Sequence, residues 1–166
     1  MTISLFHLAE KAGLALQERN LSCAAAESCT GGGLSYWITS VPGSSEWFER
    51  SFVTYSNQAK IDMLGVNPET LANFGAVSEQ TAREMAEGVL RKTPADISIA
   101  ITGIAGPAGG SMKKPVGTVW IAIASRHSST HVQGTLFPGD RAAIREGAIR
   151  VALQKLLDIV SMAVSK

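Results

Sequence analysis

The chain has 166 residues, of which 45% are hydrophobic and 17% are charged, and its formal net charge is +1. This length suits one domain with a sizeable core, and the composition excludes intrinsic disorder. Fifteen basic against fourteen acidic residues leave no positive excess of the kind that nucleic-acid-binding and membrane-surface proteins carry. Two cysteines are too few for a disulfide framework or a structural zinc site. We therefore expect one domain over residues 1–166, with no nucleic-acid partner.

The N-terminal segment is predicted to form an amphipathic helix over residues 3–19, followed by a short buried strand over 22–26. Charged residues interrupt the apolar pattern of this segment, so it does not read as a signal peptide. No stretch of the chain approaches the ~20 apolar residues that span a bilayer. These features predict a cytoplasmic protein with no membrane partner.

The middle of the chain alternates between helical and strand patterns. Glycines 31–33 predict a loop that leads into a second helix, and the β-branched and aromatic run 51–55 predicts a strand. Ser56 and Ser78 are the predicted N-caps of the next two helices, the first of which ends near Gly65.

The last third of the chain is predicted to form three strands and a long helix that begins after Asp140. Residues 97–103 and 116–125 are apolar almost throughout, which is typical of strands that are covered on both faces. The run 130–137 follows closely and predicts a hairpin. Together the patterns predict an α/β fold, a three-layer α/β/α sandwich with a mixed, mostly parallel sheet.

Three polar segments follow predicted strands, where open α/β sheets place their ligand sites. The first, 26–33, puts Ser28 before glycines that open a helix, so Ser28 is a candidate nucleophile beside backbone N–H groups. A phosphate site and an ordinary helix N-cap are alternative interpretations of the same pattern. Cys29 is a rival nucleophile, although a bystander thiol is the simpler interpretation.

The second segment contains Lys60, which is predicted to lie in the first turn of the helix that Ser56 caps. The positive end of the helix dipole lowers the pKa of a lysine placed there, and a neutral lysine can act as a general base. A solvated surface lysine is the alternative interpretation.

The third segment, 102–111, carries four glycines within the eight positions 103–110, so a ligand can approach its backbone closely. It fits neither a Walker A loop nor a Rossmann fingerprint, because a strand follows it and Pro115 would break the required helix. A flexible connection between strands is equally compatible. Farther along, Arg141 and Arg145 are one helical turn apart and form either an anion-binding pair or a solvated helix face.

Six motifs in order resemble the C-terminal domain family of the competence-damage protein CinA, and in particular its stand-alone, PncC-type nicotinamide-nucleotide amidohydrolases. The resemblance covers about residues 5–160, and its motifs lie at 26–32, 52–60, 75–82, 102–110, 114–122 and 139–141. It implies a three-layer α/β/α sandwich with no metal and no organic cofactor. It also implies hydrolysis of the amide of nicotinamide mononucleotide (NMN) to nicotinate mononucleotide and ammonia, a step in NAD recycling.

The resemblance assigns catalytic roles to three residues of this chain. Ser28 is the expected nucleophile, Lys60 the expected base, and Tyr55 is expected to orient the lysine or relay a proton to the leaving ammonia. The expected oxyanion and substrate-binding residues are Thr30, Gly31, Gly32, Thr102, Gly103, Gly106 and Arg141, although Thr102 fits a structural role equally well.

Two other functions fit the same sequence. One is a non-catalytic nucleotide-binding or regulatory module related to competence-damage proteins, and the other is an amidase for a different nucleotide or a small amide. Intact Ser28, Tyr55 and Lys60 favour an enzyme, because a binding pocket needs neither a nucleophile nor a base. Elements that are apolar on several faces favour a homo-oligomer, and a dimer is the first expectation.

Overall fold

The computed structural model describes residues 1–163, which form six α-helices and five β-strands. The helices are α1 (Leu5–Glu18), α2 (Gly33–Thr39), α3 (Asn57–Leu64), α4 (Pro68–Phe74), α5 (Glu79–Lys92) and α6 (Arg141–Met162). The strands are β1 (Cys23–Glu27), β2 (Phe48–Val53), β3 (Ile97–Gly103), β4 (Thr118–Ser125) and β5 (Ser128–Leu136). A short 3₁₀ helix at Ser44–Glu46 precedes β2.

The strands form one sheet in the order β2-β1-β3-β4-β5. β1 pairs in parallel with β2 and β3, whereas β4 pairs antiparallel with β3 and β5. One strand, β4, therefore runs against the other four. The carboxyl ends of β2, β1 and β3 lie side by side at one edge, because these three adjacent strands point the same way.

Helices cover both faces of the sheet, as the continuous apolar runs of β3 and β4 predict. On one face α1, α2 and α6 pack on side chains that include Ile99 and Ile101. On the other face the core is built from α5 and Leu64 of α3 against small side chains of the strands, such as Ala24 and Ala100. These two cores, one on each face of the sheet, give the predicted three-layer architecture.

Four predicted helix caps are confirmed, three at the N-terminal and one at the C-terminal end of a helix. Ser56, Ser78 and Asp140 each accept a hydrogen bond from a backbone N–H in the first turn of their helix. Gly65 adopts a positive φ of 70° at the end of α3, a conformation that favours glycine.

The bounds of four strands differ from the prediction. β1 covers 23–27 instead of 22–26, and β5 covers 128–136 instead of 130–137. β2 covers 48–53 instead of 51–55: its pairing with β1 ends at the hydrogen bond that the Thr54 N–H donates to the Glu27 carbonyl, and Ser56 then caps α3. β4 begins at Thr118, two residues late, because Gly117 takes a positive φ of 97° and donates its N–H to Ile104.

Helix α4 was missed by the sequence analysis. The pair Asn67-Pro68 is typical of a helix start. The Asn67 side chain accepts a hydrogen bond from the Glu69 N–H, and proline occupies the first helical position. The helix spans only seven residues, so its apolar periodicity is too short to stand out. Among residues 1–163, no helix combines the length and apolar character required to cross a membrane.

Candidate active site

The site lies at the edge where β2, β1 and β3 end. Ser28 follows β1 directly and is held by a hydrogen bond of 3.0 Å from its N–H to the Ile101 carbonyl of β3. Lys60 follows β2 and lies in the first turn of α3. Parallel neighbouring strands therefore bring two residues together that are 32 positions apart in sequence.

Lys60 is buried, with 1% of its surface exposed, so the solvated-lysine interpretation is wrong. Its Nζ lies 2.9 Å from Ser28 Oγ, 2.8 Å from the Thr54 carbonyl oxygen and 3.2 Å from the Tyr55 carbonyl oxygen. No carboxylate lies within 4 Å of this amine among residues 1–163. The amine is thus surrounded by neutral oxygen atoms.

Burial lowers the pKa of Lys60 from 10.5 to about 8. The sequence predicted a lowered pKa because of the dipole of α3, whereas the largest cause in the structure is the removal of the amine from water. A substantial fraction of Lys60 is therefore neutral near physiological pH, with a lone pair that can accept a proton.

The turn after Ser28 is held from one side by Glu27, the last residue of β1. Its fully buried carboxylate accepts hydrogen bonds from Thr30 Oγ1 at 2.7 Å, from the Leu34 N–H at 2.8 Å and from the N–H and hydroxyl of Ser35. The first amides of α2 are therefore already paired with an anion. A phosphate site on these amides, one of the alternatives considered from the sequence, does not fit this arrangement.

The same turn is held from the other side by α6. Arg145 donates from Nε to the Cys29 carbonyl and from Nη2 to the Thr30 carbonyl, each at 3.1 Å. Arg141 instead donates to the Gly106 carbonyl at 2.7 Å and to the Tyr55 hydroxyl at 3.2 Å. The two arginines therefore contact different segments: Arg145 holds the turn after Ser28, whereas the exposed Arg141 contacts Gly106 and Tyr55.

A cavity of about 240 Å³ opens at Ser28 and Lys60. Six of the ten residues predicted for the site line it: Ser28, Tyr55, Lys60, Thr102, Gly103 and Arg141. The other four, Thr30, Gly31, Gly32 and Gly106, do not line it. A larger apolar cavity at the opposite end of β3, beside Ile97 and Ile159, contains none of the predicted residues.

Two of the glycines in the third segment have a clear packing role. A Cβ at Gly103 would lie 2.6 Å from Val119 of the neighbouring strand, and one at Gly106 would lie 2.4 Å from Val116. Thr102 donates its hydroxyl to the Ala76 carbonyl at 2.8 Å. Thr102 and Gly103 line the cavity, whereas Gly106 packs against Val116 and is not part of the lining.

Tyr55 is exposed, and its hydroxyl accepts from Arg141 instead of contacting Lys60. The part of Tyr55 that contacts the lysine is its backbone carbonyl. The phenol and the guanidinium of Arg141 together border the cavity.

The cavity is also lined by Cys29, Ala76, Val77 and Ala105, which the sequence analysis did not propose as binding residues. Each of the four lies in a motif of the resemblance, Cys29 in 26–32, Ala76 and Val77 in 75–82, and Ala105 in 102–110, and this membership was the available signal. Burial raises the pKa of the Cys29 thiol to about 11, so this thiol is protonated and poorly nucleophilic at neutral pH. Within the described part of the chain, no group of three His, Cys, Asp or Glu side chains is arranged to hold a metal ion.

Comparison with known proteins matches nearly the whole chain to one family. The family model of the CinA C-terminal domain matches residues 5–160. A nicotinamide-nucleotide amidohydrolase PncC from Escherichia coli K12 is 52% identical over 152 residues, which are 92% of each chain. A CinA-like protein from Akkermansia muciniphila is 48% identical over 143 residues, which are 86% of this chain and 34% of that protein.

Solved structures give the same result. The competence/damage inducible protein CihA from Agrobacterium tumefaciens is 42% identical and superposes with a TM-score of 0.92, covering 96% of this chain and 99% of that one. The competence damage-inducible protein A from Klebsiella pneumoniae is 36% identical with a TM-score of 0.93 and the same coverage.

Proposed function

The chain belongs to the CinA C-terminal domain family, and we propose that it is a nicotinamide-nucleotide amidohydrolase. It hydrolyses the carboxamide of NMN to nicotinate mononucleotide and ammonia, with Ser28 as nucleophile and Lys60 as general base. The relatives named PncC, 48–52% identical over 92% of the chain, support this activity. The geometry around Lys60 supports the mechanism.

The observation that carries the proposal is the set of three oxygen atoms around Lys60 Nζ. A neutral amine has two N–H donors and one lone pair. When the carbonyls of Thr54 and Tyr55 accept the two hydrogens, the lone pair faces Ser28 Oγ at 2.9 Å. The backbone therefore holds the amine in the orientation that a base needs to remove the serine proton.

Acylation begins when Ser28 Oγ attacks the carboxamide carbon and its proton passes to Lys60 Nζ. The ammonium of Lys60 then protonates the amide nitrogen as the carbon–nitrogen bond breaks, so ammonia leaves and an ester forms on Ser28. Lys60 is neutral again at this stage. It next removes a proton from water as the water attacks the ester. The ammonium of Lys60 then returns this proton to Ser28 Oγ as the ester bond breaks, which releases nicotinate mononucleotide and the free serine.

We place the phosphate of NMN at Arg141. This guanidinium lies at the border of the cavity, and no carboxylate lies within 4 Å of it among residues 1–163. A cavity of about 240 Å³ lies below the roughly 300–1,000 Å³ of sites that enclose drug-sized ligands. We therefore place the pyridine ring inside it and the ribose phosphate toward its open side, near Tyr55.

The direct test of the activity is ammonia release from NMN by the purified protein. Ser28→Ala is expected to abolish release while keeping the fold and NMN binding, because the nucleophile alone is lost. Cys29→Ala is the matched control and is expected to retain activity, since its thiol is buried and protonated. No release from folded wild-type protein would overturn the activity, and an active Ser28→Ala variant would overturn the mechanism.

The pH dependence tests the base. A protonated Lys60 has no lone pair, so kcat/KM for NMN is expected to rise with pH, pass its midpoint near the Lys60 pKa of about 8 and then level off. Below the midpoint the rate falls about tenfold per pH unit, because the neutral fraction of the amine falls by that factor. A profile that stays flat across about pH 6 to 10 would remove Lys60 from the base role.

Arg141→Met tests the phosphate site. The variant is expected to raise KM for NMN by about tenfold or more, the worth of a charge-assisted hydrogen bond. Nicotinamide riboside, which lacks the phosphate, is expected to react at nearly the same low rate with the variant and the wild type. Equal losses on both substrates would instead mean that Arg141 acts through its contacts with Gly106 and Tyr55.

A further inference from the structure

The ring of Tyr55 lies between the buried amine and the exposed arginine of the catalytic cavity. The Tyr55 carbonyl accepts a hydrogen bond from Lys60 Nζ at 3.2 Å, and the Tyr55 hydroxyl accepts one from Arg141 at 3.2 Å. Lys60 and Arg141 both line the cavity, as Tyr55 itself does. Because the backbone of the tyrosine is held at the amine and its hydroxyl at the arginine, the ring spans the stretch of cavity between these two groups.

The faces of this ring are available to a ligand. Tyr55 is 62% exposed, and among residues 1–163 neither a second aromatic ring nor a cation is stacked on it. The contact with Arg141 uses the hydroxyl, which lies at the edge of the ring, and leaves the faces out of it. Aromatic side chains that border a cavity are typical ligand contacts.

The charges around the cavity leave one side-chain group that attracts a cationic ligand. The ten described residues that line the cavity include two basic side chains, Lys60 and Arg141, but neither Asp nor Glu. A positively charged ring that entered the cavity would therefore meet no carboxylate. Tyr55 is the one aromatic residue in this lining. The negative face of an aromatic ring attracts a cation through its quadrupole, so the ring of Tyr55 can take the place of the missing carboxylate.

The substrate of the proposed function carries such a positive charge. The pyridine nitrogen of NMN is bonded to ribose, which makes the ring a permanent cation. Its carboxamide has to reach Ser28 and Lys60, and its phosphate has to reach Arg141. The pyridinium ring lies between these two ends of the molecule, and Tyr55 spans the same two groups of the protein. The cationic ring therefore lies along the ring of Tyr55.

We propose that Tyr55 determines specificity: its aromatic ring binds the cationic ring of the substrate and favours N-alkylated pyridinium carboxamides over uncharged ones. The inference rests on the proposed function and names the feature of the substrate that the site selects. It differs from the lysine orientation or proton relay that the resemblance implies, because the Tyr55 hydroxyl contacts Arg141 instead of Lys60. Recognition by the ring face requires neither the hydroxyl nor its proton.

The test measures the binding of two ligands that differ in the charge of one ring. NMN carries the pyridinium cation, whereas reduced NMN has the same carboxamide, ribose and phosphate on an uncharged dihydropyridine ring. Dissociation constants are measured by calorimetry in Ser28→Ala protein, which lacks the proposed nucleophile. Tyr55→Leu and Tyr55→Phe are introduced into this protein. The control is Tyr36→Leu, which removes an exposed tyrosine of α2 that packs against Trp37 and does not line the cavity.

Ser28→Ala protein is expected to bind NMN more tightly than reduced NMN. Tyr55→Leu is expected to lower this preference about 3- to 30-fold, mainly through weaker binding of NMN, which is the range of cation–π contacts from exposed to desolvated sites. Tyr55→Phe loses the hydrogen bond with Arg141, so both ligands bind less tightly, but the preference stays because the ring remains. Tyr36→Leu is expected to match the Ser28→Ala protein.

The ratio of the two dissociation constants separates recognition of charge from a structural role, because a local loss of structure would weaken both ligands alike. Circular dichroism verifies that each variant is folded, and Tyr55→Gln makes the same comparison if Tyr55→Leu does not fold. In protein that retains Ser28, Tyr55→Leu is expected to raise KM for NMN. The pH midpoint of kcat/KM is expected to stay in place, because the ring does not contact the amine of Lys60.

Three results would overturn the inference: no preference for NMN in Ser28→Ala protein, an unchanged preference in Tyr55→Leu, or an equal loss of preference in Tyr55→Phe. The third result would assign the recognition to the hydroxyl. Failure of the proposed function has a different signature. In that case protein that retains Ser28 releases no ammonia from NMN, while the dissociation constants still decide whether Tyr55 recognises the cation.

Discussion

The site is organised by one buried amine, that of Lys60, between two backbone carbonyls and a serine hydroxyl. An ammonium ion buried without a counter-charge is costly, so the environment lowers the pKa of Lys60 to about 8 and raises the neutral fraction of the amine at neutral pH. The carbonyls of Thr54 and Tyr55 are available because β2 ends at Val53 and the chain turns into α3 there. The bounds of a strand and a helix thus set both the protonation of the base and the direction of its lone pair.

Opposite charges on two sides hold the nucleophile turn. The Glu27 carboxylate accepts hydrogen bonds from N–H and hydroxyl groups of Thr30, Leu34 and Ser35. The Arg145 guanidinium donates hydrogen bonds to the carbonyls of Cys29 and Thr30. Neither side chain forms an ion pair with a partner in residues 1–163. Each charged group instead forms its hydrogen bonds with the backbone and hydroxyl groups of the turn. A turn fixed in this way is preorganised for charge that develops on the substrate, which is how oxyanion stabilisation acts.

The sequence predicted the site well where chain order determines position. Polar segments after successive apolar strands implied a shared sheet edge, and Ser28, Lys60 and Thr102 do lie around one cavity there. Helix caps such as Ser56 and Asp140 were also predictable, because capping depends on neighbours within one turn.

Contacts between distant segments could not be predicted in the same way. The burial of Lys60 depends on packing against the end of β1, and the contacts of Arg145 depend on how α6 crosses the sheet. Spacing within one segment contains no information on either. The pairing of Tyr55 with Arg141 is a further example, since 86 positions separate the two residues.

The most direct test of this account is the ionisation of Lys60 itself. The ¹³Cε resonance of Lys60, assigned by its loss in Lys60→Arg, can be followed with pH in lysine-labelled protein. The account predicts a single titration near the pKa of about 8 that burial produces, well below the ordinary value of 10.5. A midpoint at the ordinary value of 10.5 would leave almost no neutral amine at neutral pH and contradict its role as the base.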